Sequence, residues 1–357
     1  MQGESGDQLS LQPPRLLPSL RLALRARHYS HKTELAYVHW VRRFIFFHGV
    51  RHPKDIGASE VTSFLSHLAE DRQVAASTQN QALAALLFLY KVVLRCELPW
   101  LDAIVRAKAK KRLPCVPTRG EVQAILSKLT GTRWLLVSLL YGAGLRLNEC
   151  LSLRFKDVDL PGSKLIIRHG KGGKDRITVL PQSVKGPLAL HMEKVSTLHQ
   201  QDLQVGFGEA PLPRALVRKY PKAGYLLGWQ FIFPSANRCV DPLTGRQVRF
   251  HIHEKTLQRT VKDAVAAAGI NKPVSCHTFR HAFATHLLES GHNIRMVQEL
   301  LGHKDVETTL IYTHVMHHSL GDVCSPADML ANISSTSSSD THAHLGRLKS
   351  TSPAGAR

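Results

Sequence analysis

Six side chains between positions 146 and 312 of this 357-residue sequence could together handle a phosphodiester. Arg146 follows a break in helical pattern at Gly142 and Gly144. Lys171 sits in the glycine-rich run HGKGGKD (169–175), with Lys174 as its rival. His277 and Arg280 lie three apart in CHTFRHAFATH (276–286), so a helix puts both on one face. His303 follows Gly302 in LLGHKDVETTLIYTH (300–314), and Tyr312 comes nine residues later. The set supplies two guanidiniums, an ammonium, two imidazoles and a phenol. Arginine forks bind non-bridging oxygens and neutralise the charge of a five-coordinate transition state. A lysine can protonate the leaving 5′ oxygen, and a histidine can take or give the nucleophile's proton. A phenol, with an ordinary pKa of about 10, can attack phosphorus once a base or nearby cations favour its anion. Protein cations then carry the charge, so neither metal nor cofactor is required.

Each residue alone has a plainer reading. Arg146 could be a surface arginine, Lys171 a solvated hairpin tip, His303 a helix-end histidine and Tyr312 core. GKGGK lacks the GxxxxGK[ST] spacing of a phosphate loop. His277 and His281 are spaced like a zinc-binding pair, but Thr278 stands where the HExxH motif needs glutamate. No acidic third ligand lies at a standard spacing, so no metal site is expected. Order and combination make the six residues informative together.

The elements that would position them fall into two blocks. Residues 15–105 read as a helical bundle, with helices over 33–48, after Ser59, and over 78–95 behind Ser77. The run RAKAKKR (106–112), with Lys108, Lys110, Lys111 and Arg112, opens a basic linker to 117 that also holds Pro114 and Pro117. Beyond it, helices are expected near 119–129 and 132–142. A β-hairpin follows, from KLIIR (164–168) and RITVL (176–180). Residues 186–262 are irregular apart from a helix over 187–199; helices return at 278–289, 294–301 and 305–314. Residues 1–14 and the Ser/Thr-rich 331–357 are expected to be disordered. The fold class is mainly α with a small β-sheet.

Composition agrees with a polyanionic partner. There are 47 Lys+Arg against 27 Asp+Glu, a formal charge of +20. Residues 1–112 carry 17 basic and 9 acidic groups, while 319–357 carry three of each, so the excess sits in the two folded blocks. Nucleic acid is the simplest such partner. The longest apolar stretch, Trp134 to Gly144, is too short to span a bilayer, and no basic region followed by an apolar core opens the chain. Six scattered cysteines without a CxxC pair fit a reducing compartment.

Arg146, Lys171 in GKGGKDR, His277 and Arg280 of HxxR, His303 of the GH pair and Tyr312 of IYTHV together resemble the tyrosine recombinase (phage integrase) family over about residues 15–330. The resemblance implies phosphate activation by Arg146, His277, Arg280 and His303, with Lys171 as general acid and Tyr312 as nucleophile. It also implies a SAM-like core-binding domain over 15–105 and a catalytic domain over 118–330. These would form a C-shaped clamp on DNA, with four protomers in the working complex and a bacterial cytoplasmic location. The segment 190–255, with ALVRKYP (215–221), WQFIFPS (229–235) and DPLTGR (241–246), resembles the insertion of integron integrases. Such enzymes recombine gene cassettes at duplex attachment sites and at folded single-stranded sites. There Trp229, Pro242 and His251 fall where the insertion offers base-stacking surfaces. This chain departs from the family in reading Phe250-His251-Ile252-His253, where relatives tend to have two adjacent histidines. Alternatives are an Xer-like or phage-type recombinase on duplex sites, a nicking-closing topoisomerase with the same cleavage step, and a non-catalytic DNA-binding module.

Overall fold

The computed structural model describes residues 15–96, 115–168, 175–212, 214–241 and 244–313. Lys108, Lys110, Lys111, Arg112, Lys171, Lys174 and Pro242 lie outside the described residues, as do the segments 1–14 and 331–357. The chain divides into two compact units, Met1–Arg112 and Leu113–Arg357.

The first unit is all helical, with α1 (Leu16–Ala26), α2 (His31–Phe47), α3 (Ala58–Ala69) and α4 (Ala76–Phe88), which runs on as a π-helical turn over Leu89–Leu94. Ser30 caps α2 by accepting the Thr33 N–H. Helix α1, ahead of the first helix expected, docks through Leu20 and Leu24 and through a charge cluster. Arg21 and Arg25 both donate to Glu34, which is only 3% exposed. Arg25, and then Arg21, hold this carboxyl down to about 2 although burial opposes them. Neither Ser59 nor Ser77 stands ahead of its helix. Gly57 precedes α3, and Ser59 sits inside its first turn, donating to the Glu60 carboxylate that accepts the Gly57 N–H. Ser77 likewise lies inside α4, which begins at Ala76. Trp40, Phe44, Phe64, Leu68 and Leu86 form the centre of the bundle.

The second unit is built on two buried helices. Helix α5 (Arg119–Leu126) leads to α6 (Gly131–Gly142), in which Leu135 to Leu140 are buried on every side. An all-round apolar helix belongs in the interior. After α7 (Leu147–Leu151) comes an antiparallel sheet of β1 (Val158–Asp159), β2 (Lys164–Ile167) and β3 (Arg176–Val179), in that order, with Leu165 opposite Thr178. Helix α8 covers Gln182–Gln204, starting five residues before Pro187. An interior proline costs about 3 kcal/mol, and burying Val184, Leu188 and Val195 at roughly 1.5–3 kcal/mol each outweighs it. Helix α9 (Arg214–Lys219) and the short hairpin of β4 (Cys239–Val240) and β5 (Gln247–Val248) complete the segment that reads as irregular in sequence. Helix α10 (Glu254–Ala267), also unexpected, follows it.

Helix α11 (Cys276–Glu289) packs on α6 and buries Phe279, Arg280, Ala282, Phe283 and Ala284. Helix α12 (Ile294–Leu301) has the expected bounds, capped by Asn293 and ended by Gly302 at φ +63°. Only four residues of the expected 305–314 helix form α13 (Glu307–Leu310). The molecule is mainly α, with two small antiparallel sheets among the described residues. Among the described residues no helix is long and apolar enough to cross a membrane.

Gly144, just past α6, has φ +62°, and a methyl there would lie 2.4 Å from Phe283 Cδ1. We expect Gly144→Ala to destabilise the second unit by about 1–3 kcal/mol, read as a lower urea midpoint at unchanged m-value.

Candidate active site

Arg146 is the residue just before α7, and its backbone N–H donates to Glu149 Oε2 at 2.8 Å. Its guanidinium donates to Glu149 Oε1 at 2.7 Å. Arg176, at the start of β3, forks onto the same carboxylate through Nη1 and Nη2 at 2.8 and 2.6 Å. Arg280 Nη1 lies 3.8 Å from Glu149 Oε2. Three guanidiniums from three elements therefore share one carboxylate. Arg280 also donates to the carbonyls of Gly144 and Leu301, and Arg176 Nε donates to the Leu300 carbonyl at 2.9 Å. These bonds tie the Gly144 turn, the hairpin base and the end of α12 to one point.

His277, Tyr312 and His303 gather here too. His277 and His281, one turn apart on α11, meet edge to face at 4.4 Å. His281 Nδ1 lies 3.1 Å from the Tyr312 hydroxyl. The Tyr312 ring is 2% exposed, packed among Phe283, Leu288, Val297 and Leu301, with the His303 ring 6.2 Å away and nearly parallel. His303 Nδ1 is 2.9 Å from the Thr309 hydroxyl. Arg146, His277, Arg280, His303 and Tyr312 thus converge within one subunit.

Burial and positive charge set their protonation. Burial, then Arg280 and Arg146, lower His277. Burial, then the arginines, push His303 down to about 3; burial, then His277 and Arg280, push His281 down to about 4. All three imidazoles are neutral at pH 7. Burial raises the Tyr312 phenol, and the charges of Arg280 and Arg146 oppose that only in part. Burial alone would raise Glu149, but Arg176 and Arg146 hold it down to about 2. The resting site is a protonated phenol beside three neutral imidazoles and an excess of guanidinium charge, which suits a bound anion.

Glu149, Arg176 and His281 stand in this site, and the sequence reading did not single them out for it. An acid three residues after Arg146 reads as a helix cap, which it also is. His281 is legible only as half of a zinc-like pair, and here its ring faces a phenol instead.

A model of the phage integrase family matches residues 118–318, and one of the family's N-terminal SAM-like domain matches 16–100. The chain belongs to the phage integrase family. It is a tyrosine recombinase, similar at 48% identity over 91% of its length to an integrase/recombinase of Escherichia coli, 96% of which is covered. Its identity to tyrosine recombinase XerA of Thermococcus kodakarensis is 32% over 78% of the chain and 83% of that protein. The fold is shared with a lambda integrase tetramer bound to a Holliday junction, at TM-score 0.59 and 16% identity, covering 87% and 79% of the two chains.

In this recombinase, Trp229 of the 190–255 segment is half-buried rather than core. The Lys156 ammonium sits 2.9 Å from its ring centre, and Arg154 donates to its carbonyl. Trp229 also borders a cavity of about 650 Å³ with Tyr220, Lys219, Lys222 and Leu226. His251 is turned inward, its Nδ1 2.7 Å from the Ile252 carbonyl and its ring 4.1 Å from that of Phe250. His253 caps α10.

Because the Glu149 carboxyl falls from an ordinary 4.5 to about 2 in the folded protein, it contributes stability above pH 4.5 that is lost as pH drops toward 2. Glu149→Gln is expected to lower the urea midpoint at pH 7 and to flatten its fall between pH 4.5 and 2. An unchanged acid slope in the variant would mean that other carboxylates carry it.

Proposed function

We propose that this recombinase cuts DNA with Tyr312, on a scissile phosphate held by Arg146 and Arg280. The phenol oxygen bonds to phosphorus as the bond to the 5′ oxygen breaks, leaving a 3′-phosphotyrosyl link. Lys171 gives the departing 5′ oxygen its proton, and His277 and His303 hold the phosphate oxygens and the nucleophile's proton. Attack by the partner strand's 5′-hydroxyl reverses the step, so bond energy is retained and no ATP is consumed. One observation carries the reading: the Tyr312 phenol lies within the field of Arg280 and Arg146, which share the Glu149 carboxylate with Arg176. A phosphodiester supplies the missing negative charge, and preorganised cations favour the more highly charged transition state.

The substrates in this reading are integron sites, both the duplex attachment site and the folded single-stranded cassette site, worked on by a homotetramer. The two basic units grip the phosphate backbone, joined by the linker with Lys108, Lys110, Lys111 and Arg112. Support for a folded strand comes from Trp229, whose indole borders an open, mostly apolar cavity where a splayed base could stack. Pro242 and His251 complete that surface in the resemblance, although the His251 ring packs on Phe231 and Phe250. A second reading, an Xer-like enzyme on duplex sites, is favoured by the Lys156 ammonium, which already occupies one face of the indole.

Tyr312→Phe should abolish the covalent adduct with nicked trap duplexes, themselves selected from a randomised library by capture to the wild-type protein. Binding by gel shift should stay within about threefold. An adduct on the Phe variant would move the nucleophile elsewhere. For the insertion, Trp229→Ala should cut capture of selected hairpins with extrahelical bases by about tenfold or more, the scale of one base–aromatic stack, while the matching duplexes change less than twofold. Equal losses on both would favour the duplex enzyme.

A further inference from the structure

We propose that His281 is a positioning residue for the nucleophile: its neutral Nδ1 accepts the Tyr312 O–H and holds the phenol oxygen in line for attack. This rests on Tyr312 being the nucleophile. The contact itself is within hydrogen-bond distance, with Nδ1 3.1 Å from the hydroxyl.

The geometry separates two jobs. Packing places the ring, since Phe283, Leu288, Val297 and Leu301 enclose it. Packing does not orient an O–H, because a phenolic hydrogen rotates to meet its acceptor. The backbone offers little further control, since Tyr312 follows a helix of only four residues, Glu307–Leu310. The imidazole supplies what is missing. Burial, then His277 and Arg280, keep His281 neutral, and in the tautomer assigned to it the ring proton sits on Nε2 and Nδ1 carries a lone pair. The phenol is protonated, so it donates and the imidazole accepts. With its hydrogen directed at Nδ1 before attack, the oxygen keeps lone pairs free for phosphorus, and as the bond to phosphorus forms the phenol proton passes to His277 or His303, the histidines that hold it in the proposed reaction.

His281 is itself firmly held. It lies on α11 between Arg280 and Ala282, both buried, so the helix fixes its direction. The His277 ring lies against it edge to face. His277 is exposed, one turn back on the same face, and so is placed to face a bound phosphate while His281 faces the phenol.

The test compares His281→Ala, His281→Asn and Tyr312→Phe with the wild type, on nicked trap duplexes selected by capture to the wild-type protein. The amide oxygen of asparagine can stand near the Nδ1 position and accept a hydrogen bond, but it cannot take a proton. We expect His281→Ala to form adduct about 100-fold more slowly at saturating DNA, the scale of a misplaced reacting group, with Kd within threefold. His281→Asn should recover to within about tenfold of wild type, and Tyr312→Phe should form none. Adduct formation by His281→Ala at the wild-type rate overturns the proposal. So does equal slowness of the Ala and Asn variants, which would make His281 a proton acceptor or a packing residue. If the Ala variant binds DNA poorly or melts early, the Asn variant decides alone: near wild-type cleavage sustains the proposal, and a 100-fold loss overturns it. An adduct on Tyr312→Phe would instead remove the nucleophile reading, an outcome distinct from either.

Discussion

One buried carboxylate has to serve three arginines. Glu149 accepts from Arg146 and Arg176 at 2.6–2.8 Å and faces Arg280 at 3.8 Å. Arg280 is 1% exposed, so its charge has lost nearly all its water. Moving a charge into such a place costs several kcal/mol unless partners compensate, and one carboxylate cannot compensate three guanidiniums. Backbone carbonyls take up part of the deficit, from Gly144 and Leu301 to Arg280 and from Leu300 to Arg176. The protein thus stores positive charge on rigid elements, a store that the phosphodiester of the proposed reaction would neutralise.

That store requires a rigid frame, and the frame explains the fold around it. Helices α6 and α11 are buried along most of their length and pack on each other, so neither can rotate without emptying the core. Arg280 is carried on the buried face of α11, while His277 and His281 are carried at its edge. Gly144 lets the chain leave α6 at positive φ and bring Arg146 back toward α11, with Phe283 filling the space a side chain would need. Burial, reinforced by the same field that would bind an anion, keeps His277, His281 and His303 neutral, so the imidazoles act as hydrogen-bonding groups and the arginines carry the charge.

Much of this was legible in the sequence, for identifiable reasons. Helix α12 was read to the residue because its apolar spacing lies between an Asn cap and a Gly stop, both local signals. Five of the six chemical residues meet as expected, since order and spacing along α6–α7 and α11–α13 reflect a shared geometry. Lys171, the sixth, lies outside the described residues. What escaped depends on distant partners. Arg176 looks like an ordinary strand residue until Glu149 stands opposite it, 27 positions away. His281 pairs with Tyr312 across 31 positions. Helix α8 was clipped at Pro187 because proline is a strong local stop, overridden here by burial on both sides of it. Ser59 and Ser77 look like caps, but the backbone enters each helix one or two residues earlier.

The 190–255 segment follows a different logic from the charged centre. Arg154 is its anchor, donating to the carbonyls of Trp229 and Pro211 while its guanidinium lies 4.3 Å from the Phe231 ring. Burial pushes that guanidinium down to about 10, so it stays charged at pH 7 while serving as a structural strut. Arg154 is therefore spent on holding the insertion against the sheet unit, and Lys156 is the cation left over the indole face. Burial lowers the Lys156 ammonium as well, more than the nearby Asp157 raises it. An ammonium that is partly desolvated and held by a ring quadrupole can be displaced by a flat base, if a phosphate on the same strand receives the freed charge. Such an exchange would couple stacking at Trp229 to backbone binding at Lys156. A duplex keeps its bases paired and presents only phosphates, so it would draw the lysine away without filling the indole face.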